Sequence, residues 1–215
     1  MKFNLPIIAD LQEELKKPLP GEIARHRLSP AYRPNLTSEQ IQSNHPKIGG
    51  VLLLLYEKEK SLHFVFIERK KYDGVHSGQM SFPGGKKDVL DKDLIQTALR
   101  ETEEEIGVPQ GVVNILGSLS DLYIPPSNFL VCPTVGFTAE HLFFKPQVEE
   151  VERIVEIPLS FFLDEKNVHP DTKITLYDKT VVTAPAFIYN QHVIWGATAI
   201  MLSELIFILQ RIRNR

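Results

Sequence analysis

Apolar residues recur along this chain with two distinct periods. From residue 48 to 56 they are nearly continuous, the pattern of a strand buried on both faces. Residues 62–68 read as its hairpin partner across a polar turn at 57–61. Further strands are expected at 112–119, 131–138 and 151–157, with a late hairpin between 176–183 and 186–189. The second period is helical. Ile8, Leu11 and Leu15 recur among charged residues, so an amphipathic helix is expected near the start. Pro18, Pro20 and Gly21 stop it, and Pro30, Pro34 and Pro46 keep the remainder of that stretch irregular. A clearer helix runs from about residue 93 to 106, opened by a capping box of Asp93 with Gln96 and closed by Gly107 and Pro109. Residues 158–163 read as a short helical turn, and 195–213 as a C-terminal helix in which Trp195, Met201 and Leu205 pack inward. Strands outnumber helices, so the expected class is mixed α/β or α+β. Residues 1–47 read as a helical and irregular arm on a main domain of residues 48–215.

Composition narrows the function. With 24 Lys and Arg against 27 Asp and Glu, the net charge of −3 argues against a broad basic face for nucleic acid. The one cysteine, Cys132, sits in an apolar strand and reads as an inert core residue, so neither a disulfide framework nor a thiolate metal site is expected. Residues 193–209 are the longest apolar stretch. They contain Gly196, Ser203 and Glu204 and fall short of the ~20 residues of a membrane span. Residues 1–20 lack the apolar core of a secretory signal, so a soluble, cytoplasmic protein is expected. The apolar C-terminal helix suits either the core or a homodimer interface.

The helix at 93–106 carries the chemistry. With Glu101 at the origin of a helical wheel, Glu105 falls at about 40° and Glu104 at about 300°, while Glu103 lies near 200°. Three carboxylates thus share one face at the negative end of the helix dipole. Two of them ~6 Å apart repel by roughly 3 kcal/mol at an effective dielectric of 20. A hard cation such as Mg2+ or Mn2+ relieves that repulsion, because clustered carboxylates match its preference for oxygen. The competing explanation is a solvated acidic face neutralised by Arg100 and nearby lysines.

Neighbouring residues decide between the two. Gly85, Arg100, Glu101, Glu104, Glu105 and Gly107, followed by apolar Val108, resemble the Nudix hydrolase signature. The interval from Gly85 to Arg100 is one residue longer than the commonest form, so the acidic position within the loop is either Asp88 or Asp91. Upstream, Arg69, His76, Gly78, Gln79, Ser81, Phe82, Pro83, Gly84 and Gly85 resemble the segment preceding this signature in coenzyme A pyrophosphatases, where the longer loop is also usual. An arginine common in that group is replaced by Gly74.

The resemblance covers about residues 45–210 and implies an α/β/α sandwich with a mixed sheet. It implies a metal-dependent enzyme that splits coenzyme A or acyl-coenzyme A into 3',5'-ADP and a 4'-phosphopantetheine. The alternatives are another nucleoside diphosphate derivative, such as ADP-ribose or a nucleotide sugar, and a non-catalytic nucleotide-binding regulator. It implies Glu101, Glu104 and Glu105 as catalytic residues and ligands of Mg2+ or Mn2+, with Glu150 as a further ligand candidate. Arg69, His76, Gln79, Ser81, Gly84 and Gly85 are the substrate-binding candidates, and Arg100 and Gly107 structural. Lys70 and Lys71 stand near Arg69 as further cations. Arg100, by its wheel position, is expected beside Glu103 and Glu104.

Overall fold

A computed structural model describes residues 6–214. The first five residues of the expected arm lie outside the described residues. The arm contributes α1 (Pro6–Glu14), α2 (Glu22–Arg25), a 3-10 turn at His26–Leu28, and α3 (Ser38–Ser43). α2 and α3 fall where the prolines led to an expectation of irregular chain. Thr37 caps α3 by accepting from the Gln40 amide, while the Gln40 side chain accepts from the Thr37 amide, a T-x-x-Q signal present in the sequence. The prolines flank these short helices without entering them, which is why they do not break them.

The long strands β1 (Lys47–Lys58) and β2 (Ser61–Arg69) form the expected hairpin, with Leu55 opposite Phe64. Beyond that pair they part. The opening is filled by β3 (Met80–Ser81), which pairs with β2, and β4 (Gly84–Lys86), which pairs with β1. These two strands are too short to show a period, so the apolar pattern does not mark residues 80–86, which form a wedge within the sheet. After it come α4 (Leu94–Ile106), β5 (Asn114–Ser118), β6 (Leu122–Ile124) and β7 (Phe129–Thr138). β7 runs parallel to β1 along its whole length, while β5 and β6 pair antiparallel with β7. β8 (Val151–Pro158) pairs with the outer side of β2 and leads into α5 (Leu159–Leu163).

The chain finishes with β9 (Val168–Thr175), β10 (Val181–Tyr189), β11 (His192–Trp195) and α6 (Gly196–Arg213). β9 to β11 make a separate three-stranded antiparallel sheet. Here the expected hairpin is corrected. Residues 176–180 are the turn, residues 181–189 form one strand with a bulge between Ala184 and Ala186, and the partner is β9. β9 was missed because its HPDTKIT sequence is mostly polar and exposed, so no buried face marks it.

Alternation along β1 and β2 sorts the core into two layers. Leu52, Leu54, Tyr56, Val65 and Ile67 face α4 with Ala98 and Ile106. Leu53, Leu55, Phe64 and Phe66 face α6 with Met201, Leu202 and Leu205. A strand that buries both faces must be apolar throughout, which accounts for the unbroken run. The mixed sheet between helices agrees with the expected fold class. Leu11 and Leu28 of the arm are buried in the α6 layer.

The arm is further anchored by Arg25. Its Nη2 and Nε lie 2.7 and 2.8 Å from Glu204 Oε2, and its remaining donors reach the Ser120 and Asp121 carbonyls. Glu204 is fully buried and also accepts from Ser120 Oγ at 2.7 Å and the Gly21 amide at 3.1 Å. A carboxylate is tolerated at this depth because each oxygen is paired.

Candidate active site

The site forms where α4 crosses the β1–β4 pair. α4 starts after Asp93, whose side chain accepts from the Gln96 amide at 2.8 Å. The Gln96 side chain turns back to the Lys92 amide instead of that of Asp93, so the expected capping box is only half formed. The helix ends at Gly107, whose φ of 74° is a left-handed C-cap that a side chain would strain. Backbone amides of Lys145 and Gln147 then take the carbonyls of Ile106 and Glu105, 2.9 Å each, satisfying groups the last turn leaves open.

Phe82 anchors the chain entering the glycine turn from the α6 face of the sheet. It is buried, stacks on Phe66 at 4.6 Å between ring centroids and meets Phe64 edge-on at 5.9 Å. Aromatic pairs contribute about 0.5–1.5 kcal/mol beyond the area they bury, enough to fix the path of the chain two residues later. Gly84 then donates its amide to Glu105 Oε2 at 2.8 Å. A Cβ on Gly85 would lie 2.4 Å from the Glu101 carboxylate, so glycine lets that carboxylate lie against the strand, and a side chain here would displace it.

The three candidate glutamates differ in setting. Glu105 is buried, with Arg69 Nη1 3.6 Å from its Oε1. Burial pushes its carboxyl up to about 8; the Gly84 amide and Arg69 oppose this, and the charges of Glu101 and Glu150 add to it. Glu101 is mostly buried and its pKa is also raised, chiefly by burial, with Arg100 opposing at 3.0 Å. Glu104 is exposed and bonds Arg100 Nη1 at 2.9 Å. Among the described residues, no three His, Cys, Asp or Glu side chains stand close enough to hold one metal ion. Arg100 draws Glu101 and Glu104 toward itself, while Glu105 turns to Gly84.

In kind, the donors suit a divalent cation. They are hard carboxylate oxygens, and the two most buried ones have raised pKa values that a positive charge would bring down. The Glu150 side chain is exposed, yet its charge acts on both Glu101 and Glu105. Gln147 shapes that turn: its Oε1 accepts from the amides of Glu149 and Glu150. Gln147 had no signal in the sequence, because its bonds are to backbone amides.

Arg100 is the organiser of the loop between β4 and α4. It grips Asp91 through Nε and Nη2 at 3.0 Å each and also reaches the Lys86 carbonyl at 3.2 Å. Asp91 is buried, accepts from Thr97 Oγ1 and the Asp88 amide at 2.9 Å each, and is held well below the usual carboxylate range, chiefly by Arg100. Of the two candidates in the loop, Asp91 is therefore the one that Arg100 holds; the Asp88 carboxylate accepts from the Leu90 amide. The expectation that Arg100 lies beside Glu103 is also corrected. Glu103 accepts from Gln110 on the far side, and Arg100 has Glu101 in its place. Asp91 outcompetes Glu103 because it offers both carboxylate oxygens in a buried position.

The upstream candidates gather at the end of β2. Ser81 pairs with Ile67, which places Ser81 and Arg69 on the α4 face with Glu105. Among the described residues, Arg69 Nε and Ser81 Oγ are buried without a hydrogen-bond partner. Such atoms cost about 1–3 kcal/mol each until a partner arrives. His76 Nδ1 lies 3.2 Å from Gln79 Oε1, and Gln79 Nε2 donates to the Val75 carbonyl at 2.9 Å. Burial lowers the His76 pKa; Gln79 opposes and Arg69 adds to the lowering. A groove of about 710 Å³ opens beside Glu101 and Arg100, walled by Lys86, Lys87, Asp88 and Val89. That size lies within the range of small-molecule sites.

A buried carboxylate pair against a glycine turn, in an α/β/α sandwich, can be set beside known proteins. A family model described as the NUDIX domain matches residues 46–167. The chain is 31% identical to the human mitochondrial coenzyme A diphosphatase NUDT8 over 92% of its own length and 78% of that protein. It is 39% identical to the Nudix hydrolase NudL of Photorhabdus laumondii, over 60% of this chain and 68% of that one. The crystal structure of a MutT/nudix family protein from Enterococcus faecalis aligns over 99% of this chain and 76% of that chain, with 16% identity and a TM-score of 0.49. The chain belongs to the Nudix hydrolase family. Enzymes of this family generally use divalent metal ions. No described helix is long and apolar enough to cross a membrane.

Proposed function

We propose that this chain hydrolyses the diphosphate of coenzyme A or an acyl-coenzyme A, with Mg2+ or Mn2+, to 3',5'-ADP and a 4'-phosphopantetheine. Water adds to one phosphorus and the bridging P–O bond breaks, so each product carries away a phosphate. The observation that carries the hydrolytic reading is the buried Glu105, pushed up to about 8 beside Glu101 and across from Arg69. The substrate is supported by the human relative, a mitochondrial coenzyme A diphosphatase. It is also supported by the segment from Arg69 to Gly85.

Glu101, Glu104 and Glu105 would hold the cation, with Glu150 adding negative charge from the next loop. When bound, the cation withdraws charge from the phosphate oxygens and lowers the pKa of an attacking water. Glu105 Oε2 is committed to the Gly84 amide, so Oε1 is the atom left to face the cation, and Glu105 or Glu101 would orient or deprotonate the water. Arg69 and Ser81 offer their unpartnered polar atoms to the diphosphate, and the His76–Gln79 pair holds the loop beside them. Gly84 and Gly85 let the substrate approach the backbone, while Arg100 and Gly107 fix the loop and helix end.

The test is a panel of coenzyme A, ADP-ribose and a nucleotide sugar with Mg2+ or Mn2+ and mass-spectrometric identification of products. The expected result is the highest kcat/KM for coenzyme A, with cleavage dependent on added metal. A higher kcat/KM for ADP-ribose or the sugar nucleotide would overturn the substrate.

A further inference from the structure

A second cavity, of about 270 Å³, lies between the loop leading into β3 and the small β9–β11 sheet. Glu68, Gln79, Thr175, Tyr177, Gln191 and Trp195 are among its walls. We propose that it receives the neutral, amide-bearing arm of the substrate, the pantetheine portion of coenzyme A. This rests on the coenzyme A reading above.

The cavity's position follows from strand alternation. Arg69 points to the α4 face and Glu105, whereas Glu68, one residue earlier, points the other way and meets Arg153 Nε at 3.0 Å and His192 Nδ1 at 3.6 Å. Met80, opposite Glu68 on β3, lines the same cavity. The two sites are therefore back to back across the end of β2, and the Ser77–Gln79 stretch forms the rim between them. Gln79 belongs to both: it meets His76 on one side and lines the cavity on the other. An extended chain attached to a diphosphate at Glu105 can pass over this rim, while a compact group cannot occupy both places.

Size and chemistry then select the occupant. The volume equals that of about nine waters, just under the range that holds a whole small molecule, so a segment of a larger ligand fits. Glu68, the carboxylate in the wall, is paired with Arg153, and Lys173 also lines the cavity, so it has no excess negative charge to attract a cation. Thr175, Tyr177 and Gln191 supply hydroxyl and amide groups, which match the donors and acceptors of a chain with two amide bonds. Trp195 offers an aromatic surface for its methylene groups. From its spacing with Met201 and Leu205, Trp195 was expected to pack inward. Those two are buried in the core, while Trp195, at the N-cap of α6, is only half-buried and faces the cavity.

Trp195 is the one tryptophan in the chain, so its fluorescence reports on this cavity alone. The experiment titrates the full-length protein with pantetheine, which has neither phosphate nor nucleotide. In parallel it measures kcat and KM for coenzyme A and ADP-ribose. A saturable change in Trp195 emission is expected, with 3',5'-ADP producing none. Tyr177→Ala and Gln191→Ala should each weaken pantetheine binding and raise KM for coenzyme A by about five- to tenfold, with kcat held. KM for ADP-ribose should not rise. Circular dichroism and Tm establish that both variants are folded. Coenzyme A turnover with no fluorescence response to pantetheine would overturn the cavity assignment and leave the substrate standing. An equal KM rise for ADP-ribose would do the same. Absence of coenzyme A turnover alongside ADP-ribose cleavage would remove the substrate, and the pantetheine assignment with it.

Discussion

Replacing Glu105 by glutamine tests the electrostatic stress at the site directly. Burial raises this carboxyl from 4.5 to about 8, so near pH 7 the cation-free folded protein holds a proton that the unfolded chain has lost. The stability it contributes is complete below about pH 4.5, declines as pH rises, and is gone once pH passes about 8. At about 1.4 kcal/mol per pH unit, the span from 4.5 to about 8 caps the effect at about 5 kcal/mol. Glutamine cannot ionise, and its carbonyl oxygen can still accept from the Gly84 amide, so the variant keeps the contact and loses the pH dependence. Urea denaturation followed by circular dichroism, in EDTA at pH 5 to 9, supplies the stability of both proteins. Subtracting one curve from the other cancels every group they share. The expected outcome is a Glu105→Gln protein that gains on the wild type by several kcal/mol between pH 5 and 8. Millimolar Mg2+ or Mn2+ should narrow that gap by stabilising only the wild type appreciably. Parallel curves across this range would refute the buried, strained carboxyl and the cation preference argued from it.

Three further outcomes follow from particular contacts. Asp91→Asn removes the bidentate partner of Arg100; it should cost about 3 kcal/mol in urea unfolding and lower turnover by about 100-fold, because Arg100 no longer fixes Glu101 and Glu104. Gly85→Ala puts a methyl 2.4 Å from the Glu101 carboxylate, so kcat should fall by about 100-fold, while Tm stays near wild type because a flexible side chain can yield. Arg25→Met strands the buried Glu204 charge and should cost about 3–5 kcal/mol, seen as a Tm roughly 10 °C lower in a thermal scan.

Local physics made much of this protein readable in advance. The helix at α4 was legible from one turn to the next: Asp93 caps it, Gly107 ends it, and a wheel places Glu101 and Glu105 on one face with Glu103 apart. The β1–β2 hairpin was legible because strands buried on both faces are apolar throughout. Other features depend on partners distant in sequence. β3 and β4 total five residues and gain their pairing only because β1 and β2 diverge. The choice of Asp91 over Asp88 required knowing which carboxylate Arg100 can reach with both oxygens buried. Spacing could show that Glu101, Glu104 and Glu105 share a side, but not that Glu104 is exposed while Glu105 lies beneath the Gly84 turn. Nor could it turn Trp195 away from the helix core, since that depends on β11 meeting the loop before β3. A sequence specifies what each residue does to its own turn or strand. How deeply a charge is buried, and which opposite charge reaches it, is set only when distant segments pack together.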